Sequence, residues 1–259
     1  MALNTKITTW SKQRVWIIGA STGIGAALAN ALHSKGAKVA LSARSENKLA
    51  EMVTRFGASR AIALPLDITN LKQIQAAEEE LVAAWGGYDL LVLMAGDYTP
   101  MRAWEIDLKV AKHMIDTNLG GFMQALSVAI PRMLTQGQGG IALVSSVAGY
   151  RGLPNSLVYG PTKAALINLA EAMYIDLKPK NINAYVICPG FVKTPLTDQN
   201  EFEMPAIITP EVAADEIIKG FENGEFEIHF PKRFSRMLKV LQQLPYALYF
   251  AAIRKGVKL

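Results

Sequence analysis

The segment that decides the fold lies near the start of the chain and reads Val15-Trp16-Ile17-Ile18-Gly19-Ala20-Ser21-Thr22-Gly23-Ile24-Gly25. Residues 15–18 are apolar and partly β-branched, which predicts a buried strand, and the alanine-rich residues 26–33 predict a helix. A glycine turn between a strand and a helix offers backbone N–H groups and a helix N-terminus to a phosphate. The spacing is G-x-x-x-G-x-G rather than the commonest G-x-G-x-x-G, and a turn that serves only tight packing is the alternative.

The same alternation of strand and helix continues along the chain. It predicts a doubly wound parallel sheet of about seven strands with helices on both faces. We expect residues 1–231 to form one such α/β domain and residues 232–259 to form a C-terminal helical extension. The predicted strands lie near 14–19, 38–43, 60–66, 89–94, 140–145, 183–188 and 227–230, and the predicted helices near 24–35, 46–56, 70–85, 104–134, 158–178 and 210–222.

A second informative segment is Tyr159-Gly160-Pro161-Thr162-Lys163. On a helix its phenol and ammonium share one face, and a nearby cation favours the phenolate. The pair therefore predicts a lowered pKa for Tyr159, which suits acid–base catalysis at neutral pH. Such pairs are usually only a solvated helix face. Ser146, thirteen residues earlier, and Pro189-Gly190, after a later apolar run, favour the catalytic interpretation.

Over about residues 12–230 the chain resembles the short-chain dehydrogenase/reductase family, whose motifs occur in the family's order. This resemblance implies a single-domain Rossmann-type fold and a reversible hydride transfer between NADP(H) and a carbonyl or a primary or secondary alcohol. No metal is expected. The matching segments are Gly19–Gly25, Leu66-Asp67-Ile68, Ala95-Gly96, Asn118, Ser145-Ser146, Tyr159 with Lys163, and Pro189-Gly190-Phe191-Val192-Lys193-Thr194.

The resemblance also implies roles for four side chains. Tyr159 is the general acid in reduction and the general base in oxidation. Lys163 lowers the pKa of Tyr159 and holds the nicotinamide ribose. Ser146 donates to the substrate oxygen, and Asn118 holds a water that links Lys163 to solvent. The implied cofactor-binding residues are Gly19, Ser21, Thr22, Gly23, Ile24, Gly25, Arg44, Asp67, Ile68, Ala95, Gly96, Tyr159, Lys163, Pro189, Gly190, Val192 and Thr194.

The end of the second strand bears on the choice of cofactor. An acidic residue there accepts from the ribose 2′-hydroxyl of NAD, but Ala43 occupies the place and Arg44 follows it. A guanidinium binds a 2′-phosphate through charge-assisted hydrogen bonds. The sequence therefore favours NADP(H) over NAD(H). The alternative is that Arg44 is simply a solvent-facing residue at a strand end.

Two features depart from the family or lie beyond its motifs. Leu93-Met94 stand where two asparagines are usual, so we expect polar support of the central strand to be lost or replaced locally. The segment 195–209 is expected to close an apolar pocket for a small carbonyl or alcohol, although some of its side chains could simply be core. Its predicted wall comprises Phe202, Met204, Pro205, Ile207 and Ile208, with Tyr150, Leu153, Met101 and Trp104.

Composition limits the other classes of function. The single Cys188 precludes an intrachain disulfide, the polar start is unlike a signal peptide, and no run is long enough to cross a bilayer. These features predict a cytoplasmic protein, and no nucleic-acid partner is expected. Two alternative functions remain open: a non-catalytic NADP(H)-binding interaction protein, and a sugar-nucleotide epimerase or dehydratase.

The family commonly pairs two helices across a two-fold axis, which implies a homodimer or homotetramer. These are the helix that carries Tyr159 and the long helix before it. The small or apolar residues that suit such an interface are Ala164, Ala165, Leu166, Leu169, Ala170 and Met173 on the first, and Phe122, Ala125, Leu126 and Ala129 on the second.

The tail, residues 232–259, is both basic and apolar. The chain has 27 Lys and Arg against 22 Asp and Glu, so without the tail's seven bases it would carry an excess of acids. The tail itself contains no acid. We expect it to pack over the pocket or against a second subunit, and peripheral contact with an anionic membrane is the alternative. Its bases are Lys232, Arg233, Arg236, Lys239, Arg254, Lys255 and Lys258.

Overall fold

A computed structural model describes residues 2–199 and 204–257, without the side chains of residues 256 and 257. The strands are β1 Arg14–Ile18, β2 Lys38–Ser42, β3 Ala61–Ala63, β4 Leu90–Leu93, β5 Gly139–Val144, β6 Ile182–Pro189 and β7 Glu227–Phe230. The helices are α1 Gly23–Ser34, α2 Glu46–Phe56, α3 Leu71–Trp85, α4 Leu108–Ile115, α5 Gly121–Gln136, α6 Tyr159–Leu177, α7 Pro210–Asn223, α8 Lys232–Gln242 and α9 Tyr246–Val257.

The strands form one parallel sheet in the order β3-β2-β1-β4-β5-β6-β7. This confirms the predicted doubly wound α/β fold. The order reverses between β1 and β4, where Ile18 lies opposite Leu93. In such sheets the crevice beyond the carboxyl ends of the strands at the reversal is where ligands bind.

Two hydrophobic cores cover the two faces of the sheet, and β1 contributes to both. Val15 and Ile17 belong to the core beneath α1 and α7, whereas Trp16 and Ile18 belong to the core beneath α3, α5 and α6. This division follows from the two-residue period of a strand. The indole of Trp16 is fully buried and donates to Ser42 Oγ at 2.9 Å, so its one polar atom is satisfied.

The predicted helix over 104–134 differs from the structure in two ways. It begins at Leu108, because the carboxylate of Asp107 caps it by accepting from the N–H groups of Lys109 and Val110. It is then interrupted by a π-helical turn, Asp116–Gly120, which separates α4 from α5. Trp104 consequently lies in a loop and is largely exposed.

Most of the apolar residues predicted to form a subunit interface face inward instead. Leu166, Ala170, Met173, Phe122, Ala125, Leu126 and Ala129 are buried within the chain. These side chains are buried because α5 and α6 both pack against the sheet. Ala164 is exposed, Ala165 and Leu169 are partly exposed, and Met123 and Ile175 add exposed apolar surface on the same two helices.

The predicted helical extension is present as α8 and α9. Lys232 and Lys239 form ion pairs with Glu225 and Glu227 of the body, so α8 packs against the end of the sheet. The boundary between residues 1–231 and 232–259 stays a prediction, and Lys258 lies outside the described residues. Within residues 2–199 and 204–257, no helix combines the length and apolarity that crossing a membrane needs.

Gly220 tests the packing of α7 on the sheet. A Cβ there would lie 2.5 Å from Cγ1 of Ile228, which is buried in β7. We expect Gly220→Ala to lower the free energy of unfolding by about 1–3 kcal/mol, measured by urea denaturation. The control is Gly152→Ala, because a Cβ at Gly152 meets no atom within 4 Å. An equal loss in both variants would contradict this packing.

Candidate active site

A cavity of about 680 Å³ opens beyond the carboxyl ends of the central strands. All the predicted cofactor-binding residues line it, although they come from six separate segments of the chain. Of the four predicted catalytic residues, Ser146, Tyr159 and Lys163 line the cavity, and Asn118 lies behind its wall. Sequence reasoning did not assign Ser45, Met94 or Asp97 to the site, and all three line the cavity. Pro195, Leu196, Thr197 and Gln199 also line it, and they belong to the segment 195–209 that was expected to close the pocket.

The glycine turn after β1 is packed too closely for side chains. Gly19 has φ of +104°, and a Cβ there would lie 2.6 Å from the backbone nitrogen of Ala95. A Cβ on Gly25 would overlap the carbonyl oxygen of Gly19. The two glycines therefore let the start of α1 fold back onto β1 beside the end of β4.

The N-terminus of α1 faces the cavity with its donors available. Its N-cap residue, Thr22, makes no side-chain hydrogen bond to the first turn, whereas Asn70 caps α3 in that way. Residues 21–25 all line the cavity. Free N–H groups and the positive end of a helix dipole form a donor set that fits the pyrophosphate of a dinucleotide.

Opposite charges flank the part of the cavity next to β2 and β3. Asp67 accepts from the N–H and the hydroxyl of Thr69 at 2.9 and 2.8 Å. Burial acts to raise the pKa of Asp67, but these hydrogen bonds and the charge of Arg44 outweigh it, and the pKa is lowered overall. Arg44 is exposed at the cavity edge, and its side chain has no hydrogen bond or ion pair to any residue that the structure describes.

Ser146, Tyr159 and Lys163 converge at the other end of the cavity. Ser146 follows β5; its hydroxyl accepts from the N–H of Ala148 at 3.1 Å, donates to the carbonyl oxygen of Pro189 at 3.4 Å, and acts on the pKa of the Tyr159 hydroxyl. Tyr159 and Lys163 lie one turn apart at the start of α6. Lys163 donates from Nζ to the carbonyl oxygen of Val144 at 3.0 Å, and Nζ lies 5.5 Å from the centroid of the Tyr159 ring.

The pKa of Tyr159 departs from its ordinary value in the direction opposite to the prediction. Burial raises it to about 12, despite the opposing hydrogen bond from Ser146. Burial likewise lowers the pKa of Lys163 to about 8. The i, i+4 spacing does bring the two side chains together. Desolvation of each group nevertheless shifts its pKa more than the neighbouring group does. Tyr159 is therefore held as the neutral phenol, the form that can donate a proton.

Asn118 occupies the π-helical turn between α4 and α5 and is fully buried. Its amide accepts from the backbone N–H of Asp97 at 2.7 Å and donates to the carbonyl of Asp97 at 2.8 Å. It also donates to the hydroxyl of Thr162 at 3.3 Å. Asn118 thus fastens the loop after β4 to α6, and its role in holding a water stays a prediction. Turns of this π type often mark functional positions.

Burial and backbone hydrogen bonding accommodate Leu93-Met94. Leu93 is fully buried in the core, and the backbone N–H of Met94 donates to the carbonyl of Ile18 at 2.8 Å. Asn118, which is itself a residue that matches the family, binds the backbone N–H and carbonyl of Asp97 in the loop that follows. Pro161 falls in the first turn of α6, where its missing N–H leaves no helical acceptor unpaired.

The predicted substrate wall needs correction. Met101 is buried in a small cluster that packs against Tyr159, Trp104 is exposed, and the hydroxyl of Tyr150 donates to Glu227 at 2.6 Å. These three residues and Leu153 do not line the cavity, and Phe202 lies outside the described residues. The aromatic neighbour that sequence reasoning missed is Tyr98, whose ring packs edge-on against that of Tyr159 at 4.9 Å.

The sequence profile of the family described as short chain dehydrogenase matches residues 13–204. The chain belongs to the short-chain dehydrogenase family. It is 32% identical over 245 residues to an uncharacterized oxidoreductase of Myxococcus xanthus, covering 92% of this chain and 95% of that protein. It is 31% identical over 228 residues to the ketoacyl reductase HetN of a Nostoc species, covering 86% of this chain and 79% of that protein.

Solved structures show the same fold. A 3-ketoacyl-(acyl-carrier-protein) reductase from Brucella melitensis complexed with NADH superposes with a TM-score of 0.78 at 22% identity, covering 85% of this chain and 96% of that one. A short-chain dehydrogenase from Streptomyces avermitilis gives a TM-score of 0.78 at 22% identity, with 95% and 96% covered. This short-chain dehydrogenase is therefore an oxidoreductase by its family, and it shares its fold with a reductase that was solved with NADH.

The lowered pKa of Lys163 predicts a pH dependence of cofactor affinity. Below about pH 8 Nζ is an ammonium, and above it the buried amine becomes neutral, which removes a positive charge from the cavity in which an anionic dinucleotide is expected. We expect the Kd of the nicotinamide cofactor to rise above pH 8 by up to about tenfold per pH unit. Fluorescence titration between pH 7 and 9.5 measures this. Lys163→Arg keeps its charge over this range and should give a flat profile.

Proposed function

We propose that this short-chain dehydrogenase catalyses reversible NADP(H)-dependent reduction of a carbonyl to an alcohol. One observation carries the proposal: Ser146, Tyr159 and Lys163 meet in the cavity that the uncapped N-terminus of α1 also lines. One end of the cavity thus offers a proton donor and a second hydroxyl, and the other offers phosphate-binding donors.

In the proposed reaction each side chain has one task. When bound, the nicotinamide cofactor supplies or accepts the hydride. Ser146 donates a hydrogen bond to the substrate oxygen, where negative charge develops. Tyr159 gives its phenolic proton to that oxygen in reduction and takes it back in oxidation. The Lys163 ammonium, anchored on the carbonyl of Val144, lies close enough to stabilise the phenolate that remains.

The preference for NADP(H) rests on the end of β2. Ala43, Arg44 and Ser45 line the cavity there, and none of the three is acidic. The side chain of Arg44 has no ion-pair partner among residues 2–199 and 204–257, which leaves its donors free for a 2′-phosphate. A carboxylate at this place would repel the same group.

We propose an apolar carbonyl compound as the substrate and place 3-ketoacyl thioesters among the candidates. Leu196 and Met94 give the cavity apolar surface, and the similar HetN protein is named a ketoacyl reductase. A cytoplasmic location and a homo-oligomer that pairs α5 and α6 also stay proposals. Exposed Met123 and Ile175 lie on these two helices and suit such an interface.

Replacement of Tyr159 by phenylalanine, which removes only the phenolic oxygen, tests the proposed reaction. We expect Tyr159→Phe to lower kcat by about 10²–10⁴ while cofactor affinity stays near the wild-type value, because only the proton donor is lost. NADPH oxidation measures the rate with a panel of aldehydes, ketones, diketones and 3-ketoacyl thioesters. Tyr98→Phe is the matched control, since it removes a neighbouring phenol. Near-normal kcat in Tyr159→Phe would contradict the assignment, and NADPH binding without turnover on any substrate would favour a non-catalytic protein.

A second variant tests the choice of cofactor. We expect Arg44→Asp to weaken NADPH binding roughly 10- to 150-fold, the value of one or two lost charge-assisted bonds, and to strengthen NADH binding through a new acceptor for the 2′-hydroxyl. The measured quantity is the ratio of the two dissociation constants. Lys72→Asp applies the same charge reversal to an exposed residue away from the cavity. An unchanged ratio in Arg44→Asp would exclude Arg44 as the phosphate ligand.

A further inference from the structure

The two helices of the extension are held firmly against the body of the enzyme. The guanidinium of Arg151 donates to the carbonyls of Leu241, Gln242 and Leu244 at the end of α8. It also lies 4.0 Å from the centroid of the Tyr249 ring. The hydroxyl of Tyr249 in turn donates to the carbonyl of Gly152 at 2.7 Å. The extension therefore has a defined inner face and, opposite to it, a defined outer face.

The outer face carries large apolar side chains that meet solvent. Four of them are between 50% and 67% exposed, namely Met237, Val240, Leu248 and Phe250. The ring of Tyr246 is also exposed, but its centroid lies 4.8 Å from the Arg151 guanidinium, so it belongs to the inner contact. On α8, Arg233, Arg236, Met237 and Val240 follow the spacing i, i+3, i+4, i+7 and so form one stripe. An outer helix face that is merely solvated would not collect apolar side chains in this way.

Unpaired cations accompany these apolar side chains. Lys232 and Lys239 are neutralised by Glu225 and Glu227. The exposed side chains of Arg233, Arg236, Arg254 and Lys255 have no hydrogen bond or ion pair to any described residue. Residues 232–259 contain no acid. The outer face, defined as Arg233, Arg236, Met237, Val240, Leu248, Phe250, Arg254 and Lys255, is therefore apolar and positively charged.

From this face we infer that α8 and α9 dock on the surface of a membrane that contains anionic lipid. Aromatic and aliphatic side chains next to arginine and lysine match the boundary between acyl chains and anionic headgroups. A second copy of the chain is a poorer occupant, because a two-fold contact would set this face against itself and bring like charges together. A lipid surface, unlike a folded partner, needs no groove or pocket of complementary shape on this face.

Docking would bring the catalytic cavity close to the membrane. Phe234 of α8 packs against Phe191, with ring centroids 5.8 Å apart, and Phe191 belongs to the loop whose neighbours Gly190 and Val192 line the cavity. Membrane docking would fix where the enzyme sits and would do so whether or not the proposed reaction is correct. Packing on protein and docking on a membrane do not exclude each other, because the inner face of the tail contacts the body and the outer face stays exposed.

Co-sedimentation of the full chain with vesicles tests the inference. We expect binding to vesicles that contain phosphatidylglycerol, little binding to pure phosphatidylcholine, and a decrease as salt is raised. The double variant Arg233→Glu/Arg236→Glu should lower the partition coefficient at least roughly 30-fold, from about 1 kcal/mol for each basic residue near the surface. Val240→Ser/Leu248→Ser should also weaken binding, because it removes the apolar part of the outer face.

The control is Lys72→Glu/Lys109→Glu, which makes the same charge change at two exposed lysines outside the extension. Thermal melting and cofactor affinity, which should stay at wild-type values in every variant, establish that each one is folded. Absence of vesicle binding at low salt would overturn the inference and leave an acidic protein as the occupant. An equal loss of vesicle binding in the control would also overturn the inference. So would a change in oligomeric mass in Arg233→Glu/Arg236→Glu if the wild-type chain does not bind lipid.

Discussion

The structure depends on a backbone contact that leaves no room for a side chain. Gly19, at the end of β1, touches the backbone of Ala95, just past the end of β4. These two strands are the neighbours between which the strand order reverses. Because the chain leaves them toward opposite faces of the sheet, a crevice opens at this contact. The direction of α1 and the wall formed by Ala95-Gly96 both follow from it, and so does the place where a dinucleotide can lie.

A second close contact fixes the catalytic helix. Ser145 donates from its hydroxyl to the carbonyl oxygen of Lys163 at 2.6 Å. A Cβ on Gly149 would lie 2.7 Å from the carbonyl carbon of Lys163. The first turns of α6 are thus held by backbone contacts with the turn after β5. Tyr159 and Lys163 therefore keep their positions without relying on each other, which is the kind of preorganisation that proton transfer needs.

Burial governs the protonation of this pair. The apolar cluster around Met101 and the ring of Tyr98 surround Tyr159, and desolvation favours the neutral form of both the phenol and the Lys163 amine. A sequence shows that two groups lie one helical turn apart, but it does not show how much water each retains. This is why the predicted direction of the Tyr159 pKa was wrong although the predicted proximity of the two side chains was right.

The sequence by itself determined the alternation of strands and helices, the glycine turn and the order of the motifs, because two-residue and 3.6-residue periods and glycine chemistry are local properties. It also determined the charge of the tail. Only the tertiary structure decided which face each apolar residue occupies: Leu166 and Phe122 were expected at an interface and lie in the core, whereas Trp104 was expected at the pocket and lies in solvent. Likewise, Asn118 gains its partner Asp97 and the tail gains its partner Arg151 through contacts between segments distant in sequence. Such pairings depend on how the helices pack around the sheet, and no local sequence pattern predicts them.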